Sequence, residues 1–425
     1  MQTLKEKDKH FIWHPYTSLL AAPDPILIVK GEGLYLIDEK EKRYIDAISS
    51  WWVTLHGHAH PYIAERIYRQ ALQLEQVIFA GFTHPPAIEL AERLINVLPG
   101  SFSKIFYSDN GSTATEVAVK MALQFWWNNA GGENSTKRNK ILAFRNSYHG
   151  DTFGAMSVSE RSVFTLAFRE KLFDVVFIDT PETENLEVLK SRISGCGDEI
   201  AAFIYEPLVQ GAGGMKMHEP TLLNELLHTC QQHEIICIAD EVMTGFGRTG
   251  VLFASEQMEI KPDIICLSKG LTGGTMALGV TACTNKIVAA FRSEDKLKTF
   301  FHGHSFTANP IACTAALASL ELLQSKACTE SIEKISASHF KFAKQLQHHP
   351  AVKNARCCGT ILAFEYNAGD DHYLNDISRS VTAHMLQKGI FIRPLGNTVY
   401  IMPPYCISAA EIQKVYSEII HFIDG

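Results

Sequence analysis

Short apolar runs alternate with longer amphipathic ones through the middle of the chain. KIFY (104–107), KILAF (140–144), AAFIYE (201–206), IICIAD (235–240) and IICLS (264–268) are brief and rich in branched or aromatic side chains, which predicts buried strands. Between them, TEVAVKMALQFWW (115–127) and TLLNELLHTCQQH (221–233) carry helical patterns. Such alternation predicts βαβ units and a mostly parallel sheet covered on both faces. Residues 311–349 are predicted helical, followed by short strands near 361–366, 389–394 and 398–404, a smaller α+β arrangement. ILIVKGEGLYLID (26–38) has a hairpin pattern outside the central sheet. The expected architecture is therefore α/β. It has a large domain over 51–320, a smaller domain over 321–425, and an N-terminal segment, 1–50, packing with the small domain. The polar stretch 131–140 is predicted to be a surface loop, and the chain shows no internal repeat.

Composition narrows the function classes. With 425 residues and 46% hydrophobic content, the chain can bury a sizeable core. A net charge of −7 (39 minus 46) gives no general attraction for nucleic acid or anionic lipid. No run approaches the about 18 apolar residues that would span a bilayer, and the polar start, Met1–His10, lacks the apolar centre of a secretory signal. Ten cysteines without CxxC spacing, several in apolar runs (Cys237, Cys266), fit reduced buried thiols and a cytoplasmic protein.

In open α/β sheets ligands bind beyond the carboxyl ends of the strands, and three segments fall there. SDNGSTATE (108–116) opens a helix with small residues at its N-terminus, a ready anion site; a plain cap with a Thr113–Glu116 capping box explains it equally. Asp240 ends IICIAD, where a buried carboxylate needs a partner: a protonated pyridine nitrogen, a helix cap or a salt bridge. Lys269 follows IICLS, where desolvation would leave its amine nucleophilic; alone it could be a surface lysine at a strand end. An Asp ending one strand and a Lys ending the next, 29 residues later, can converge on one ligand. A rival constellation is His56, His58 and His60, with His302 and His304 repeating the spacing. It could bind zinc and serve a hydrolase, but there is no HExxH, and histidines that merely support a turn or a neighbouring residue are the plainer reading of so unspecific a spacing.

In combination and in order, SDNGSTATE (108–116), SYHGDTFGAMS (147–157), YEPLVQGAGGM (205–215), ADEVMTGFGRTG (239–250), CLSKGLTGG (266–274) and HGHSFTANP (302–310) resemble the class III aminotransferases of pyridoxal-phosphate fold type I, over nearly the whole chain. WHPYTS (13–18), SSWWVTLHGH (49–58), FAGFTHPPAIELAERL (79–94) and IRPLGNTVYIMPPY (392–405) resemble the branch of that family in biotin synthesis. Its members move an amino group from S-adenosylmethionine to 7-keto-8-aminopelargonate.

The resemblance implies pyridoxal 5'-phosphate as cofactor, bound covalently by Lys269, with Asp240 on the pyridine nitrogen. It implies Gly111 and Ser112 at the phosphate and Tyr148 stacked on the ring. It also implies a homodimer with shared sites, in which Gly303, His304 and Ser305 come from the partner subunit and Ser305 reaches the phosphate. Arg393 would bind the keto-acid carboxylate; Tyr16, Trp51 and Tyr400 would line the substrate pocket, with Arg248 a further pocket residue. Four positions depart from the family pattern: Met243 stands where many members have Gln, His304–Ser305 where Pro–Thr is frequent, and Ser147 where Gly is frequent. Trp51, Trp52 and Tyr16 favour S-adenosylmethionine as donor, because aromatic faces suit a sulfonium and an adenine. Lysine as donor, and another class III enzyme acting on ω-amino acids or diamines, are the alternatives.

Overall fold

The computed structural model describes residues 2–130, 137–367 and 377–425. Residues 131–136 of the expected polar loop lie outside the described residues.

A seven-stranded sheet forms the centre, in the spatial order Phe102–Ser108, Gly279–Thr284, Ile264–Leu267, Ile236–Asp240, Ile200–Tyr205, Lys140–Phe144 and Val175–Ile178. Gly279–Thr284 runs antiparallel to both neighbours and all other adjacent pairs are parallel. The three strands from 200 to 267 are buried at every position, as a sheet covered on both faces requires. The side-chain period of two sorts them. Ile236, Ile238 and Ile204 pack with Val117 and Ala118 of the helix Gly111–Asn129, whereas Cys237, Ala239, Phe203 and Tyr205 join the larger core on the other face.

Two expectations change. The predicted helical stretch 311–349 is two helices, Pro310–Leu323 and Lys326–Leu346; they break at Ser325, whose hydroxyl accepts the Cys328 N–H and caps the second. The strand predicted at 389–394 shrinks to Ile390–Phe391 and pairs parallel with Arg43–Asp46. It begins after Gly389, at φ +72°, and Pro394 has no N–H to extend it. Its sheet is therefore the N-terminal one, with the hairpin Ile28–Glu32 and Tyr35–Asp38. The strands Val352–Cys358, Ile361–Tyr366 and Thr398–Ile401 form a separate antiparallel sheet. This arrangement brings Asp46 alongside Phe391, two residues before Arg393. Among the described residues no helix is long and apolar enough to cross a membrane, and all ten cysteines are free thiols.

Candidate active site

Strand register brings the chemistry together. Asp240 pairs with Cys266 on the neighbouring parallel strand, so the chain that leaves after Leu267 carries Lys269 out at the same sheet edge. Asp240 is buried; its Oδ2 lies 2.6 Å from His149 Nδ1 and its Oδ1 accepts the Val242 N–H at 3.1 Å. Glu241 turns away and accepts the N–H groups of Ala254 and Ser255, both at 2.7 Å. Adjacent carboxylates thus have separate tasks.

Lys269 opens a short turn with φ +47°, a left-handed conformation that a side chain tolerates only when its surroundings enforce it. Its Nζ lies 4.6 Å from the Trp52 ring centroid. Burial pushes the amine down to about 8, against the opposing pull of Asp240 and Glu206. Glu206 follows the strand Ile200–Tyr205 and accepts the N–H groups of Tyr148 at 3.1 Å and Gly211 at 2.9 Å. Burial raises it to about 7. Together these groups set an amine that loses its proton more readily than an ordinary lysine beside two dry carboxyl groups.

The helix Gly111–Asn129 points its N-terminus at the same space. Its capping box is Asn110 with Thr113, not Thr113 with Glu116. Glu116 instead accepts the N–H groups of Gly154 and Ala155 and ties down the neighbouring short helix. Two glycines let this corner pack closely. A Cβ at Gly111 would lie 2.7 Å from Val242 Cγ1, and one at Gly150, where φ is +132°, would lie 2.1 Å from Ser112 Oγ. Ser112 Oγ accepts the Asp151 N–H at 3.2 Å. The result is a cavity of about 500 Å³ walled by Gly111, Ser112, Tyr148, Asp240, Lys269 and Trp52.

Outside the lining itself, at the mouth beside Tyr148, the Tyr16 hydroxyl donates to Asp151 and lies 3.2 Å from the Tyr148 hydroxyl. Tyr16 packs edge-on against Trp51 at 5.4 Å, and the Arg393 guanidinium sits 4.7 Å from the Trp51 ring centroid. Tyr400 and Arg248 stand behind this wall. The Tyr400 hydroxyl accepts the Trp52 indole N–H at 3.0 Å. Arg248, fully buried, donates to the carbonyls of Pro403 and Trp52 at 3.0 and 3.4 Å. Gly303, His304 and Ser305 do not line this chain's cavity; the Ser305 carbonyl accepts from Gln76 and the His304 N–H donates to Thr307.

Sequence reasoning did not single out His149, Glu206 or Asp151. The signal that marked Asp240, an acid directly after an all-apolar run, applies equally to Glu206 after IAAFIY. Met243 lies in the cavity wall, and Ser147 donates to the Val158 carbonyl at 3.3 Å. The zinc constellation is not assembled. His56 Nε2 meets Ser319 Oγ and His58 Nε2 meets Asp46 Oδ2, and among the described residues no three metal-binding side chains converge.

Comparison with known proteins agrees with this geometry. The family model for class III aminotransferases matches residues 19–423. The adenosylmethionine-8-amino-7-oxononanoate aminotransferase of Synechococcus elongatus is 47% identical, covering 97% of this chain and 98% of its own. That of Geobacter sulfurreducens is 38% identical, covering 100% and 98%. The crystal structure of the Methanocaldococcus jannaschii enzyme of the same name superposes with a TM-score of 0.94 at 34% identity, over 99% of this chain and 98% of its own. An ω-transaminase of Pseudomonas jessenii, in complex with PMP, reaches 0.91 at 27% identity, over 100% and 98%. With an α/β fold shared throughout and a family match over nearly its whole length, this chain belongs to the class III aminotransferases.

Proposed function

We propose that the chain transfers an amino group from S-adenosylmethionine to 7-keto-8-aminopelargonate, giving 7,8-diaminopelargonate in biotin synthesis, with pyridoxal 5'-phosphate as its cofactor. Supporting this reading are the names of its relatives and one arrangement above all: a dry amine at Lys269 faces a cavity whose mouth carries Tyr16, Trp51 and Arg393.

The residues present fit the cofactor. A phosphate suits the helix N-terminus at Gly111–Ser112, which lines the cavity and where Gly111, packed against Val242, has no side chain to obstruct it. A protonated pyridine nitrogen suits Asp240, which is buried and fixed from behind by His149. When bound, the group supplies an electron sink and a carbon that takes up the amino group and gives it back. Lys269 would hold the group through its amine and would serve as the base at the donor's reacting carbon. Asp240 would pair with the ring nitrogen and favour its protonated form. Tyr148, whose backbone Glu206 fixes, would pack on the group.

One cavity serves two substrates in turn, so the reaction is ping-pong. Trp51 and Tyr16 offer faces to the sulfonium and adenine of the donor, and Arg393 offers a planar fork to a carboxylate. The active form is a homodimer in which a second copy brings Gly303, His304 and Ser305 to the phosphate. Phe301 and Phe306, flanking that segment, are exposed in the single chain, as are Ile78 and Phe82, the apolar character expected of a surface that another copy covers. Its free buried thiols suit the cytoplasm.

The test is single-turnover reaction of cofactor-loaded protein with S-adenosylmethionine or lysine, followed by the cofactor's absorbance. Conversion to the amine form by S-adenosylmethionine at least ten-fold more efficiently than by lysine supports the reading. Preference for lysine, or for neither, refutes it.

A further inference from the structure

His58, part of the alternating histidine run, has a partner that leads to the substrate pocket. Asp46 ends the strand Arg43–Asp46 and is wholly buried. A dry carboxylate is costly unless its oxygens are satisfied. Its Oδ2 meets His58 Nε2 at 2.9 Å and accepts the Ser50 hydroxyl at 2.8 Å, and its Oδ1 accepts the Ile48 N–H at 3.3 Å. His58 is itself anchored on the N-terminal hairpin. Its backbone N–H and C=O both bond to Gly33, at 2.7 and 3.1 Å, and a Cβ on Gly31 would lie 2.6 Å from His58 Cβ.

The segment that Asp46 grips is unusual. Ser49, Ser50, Trp51 and Trp52 have φ of +52°, +57°, +125° and +72°, a region that residues with a Cβ avoid. Such a turn is not self-supporting. Its outcome is that the Trp51 ring faces Arg393 and Tyr16 while the Trp52 ring lies under Lys269.

We infer that Asp46, His58 and Ser50 form a positioning clamp that holds the strained Ser49–Trp52 turn and so fixes the two indoles against which the amino donor is seated. This rests on the proposed reading of the cavity as an amino-donor site. Trp51 stands against Tyr16 and Arg393, whereas Trp52 also walls the cavity beside Lys269, so losing the clamp should cost the donor half-reaction more than it costs cofactor retention.

His58→Leu removes the bond to Asp46 at similar bulk, and His58→Gln keeps an N–H that can reach it. Hydrogen exchange of the 49–54 amides in the cofactor-loaded protein should quicken ten-fold or more in His58→Leu and stay within three-fold of wild type in His58→Gln. The donor half-reaction, measured per mole of bound cofactor, should lose ten-fold or more in kcat/KM in His58→Leu. In a Trp51→Ala background the same change should add less than two-fold, because the lever is gone. Ser50→Ala removes one hydroxyl and serves if His58→Leu does not fold; its exchange should quicken three-fold or more. Unchanged exchange in the variant that folds overturns the clamp. Faster exchange with unaltered donor kcat/KM, or a full ten-fold loss on top of Trp51→Ala, overturns its link to the donor. Failure of the functional reading is distinct: wild-type protein then shows no donor half-reaction, whatever the exchange rates.

Discussion

Replacing Arg393 by alanine removes the one guanidinium at the mouth that the account assigns to a substrate carboxylate. The side chain is half-buried, 4.7 Å from the Trp51 ring centroid. A planar fork makes two charge-assisted bonds to a carboxylate, each contributing about 1.5–3 kcal/mol. The mouth is partly wet, so the lower values apply, and their sum of about 3 kcal/mol corresponds to roughly a 100-fold loss of kcat/KM. The stack on Trp51 contributes only about 0.5–1 kcal/mol to the fold, so thermal unfolding should move little. Arg393→Lys keeps the charge without the fork and should recover about one decade. Stopped-flow absorbance of the cofactor reads each half-reaction separately. The loss should fall on the 7-keto-8-aminopelargonate half-reaction. Unaltered acceptor kinetics in folded Arg393→Ala would refute the assignment. Arg248 could not then take its place unmoved, because it is buried behind Trp52, where it donates to the carbonyls of Trp52 and Pro403, and does not line the cavity.

Three further outcomes follow from the site. Asp240→Asn should still bind the cofactor yet lose most of kcat, since an amide cannot hold positive charge on a ring nitrogen; a kcat within a few-fold of wild type would make Asp240 merely structural. The rate at which cofactor-free protein takes up pyridoxal 5'-phosphate should rise with pH through about 8, because the reactive form of Lys269 is the neutral amine and burial has lowered its pKa from 10.5; a rise only near the ordinary lysine range would show a solvated side chain. Mixing inactive Lys269→Ala with inactive Ser305→Ala protein should restore activity in heterodimers, and no recovery after verified subunit exchange would exclude a shared site.

The central sheet was legible because its strands are buried on both faces. IICIAD and IICLS are nearly continuous apolar runs, and their ends marked Asp240 and Lys269. Gly279–Thr284 was not read, because GVTACT fills its place with small and hydroxyl side chains; Thr281 even donates to the Ala114 carbonyl. Val175–Ile178 is a sheet edge of only four residues. In the site, apart from Glu206, whose run of apolar neighbours could have marked it, what escaped was what depends on contacts across long stretches of chain. Nothing local ties His149 to Asp240, 91 residues away, or His58 to a strained turn through Asp46. The zinc reading failed for the same reason: spacing suggested that three histidines share a face, but their partners lie on different elements, Ser319 for His56 and Asp46 for His58.

The most direct test of the central claim follows the nitrogen. Purified protein is given S-adenosylmethionine labelled with ¹⁵N in its amino group, together with 7-keto-8-aminopelargonate and unlabelled lysine, and the product is analysed by mass spectrometry. The account predicts 7,8-diaminopelargonate carrying ¹⁵N on the newly formed amine, and no product from Lys269→Ala protein. Unlabelled product, which would name lysine as donor, or labelled product from the Lys269→Ala variant, would contradict it.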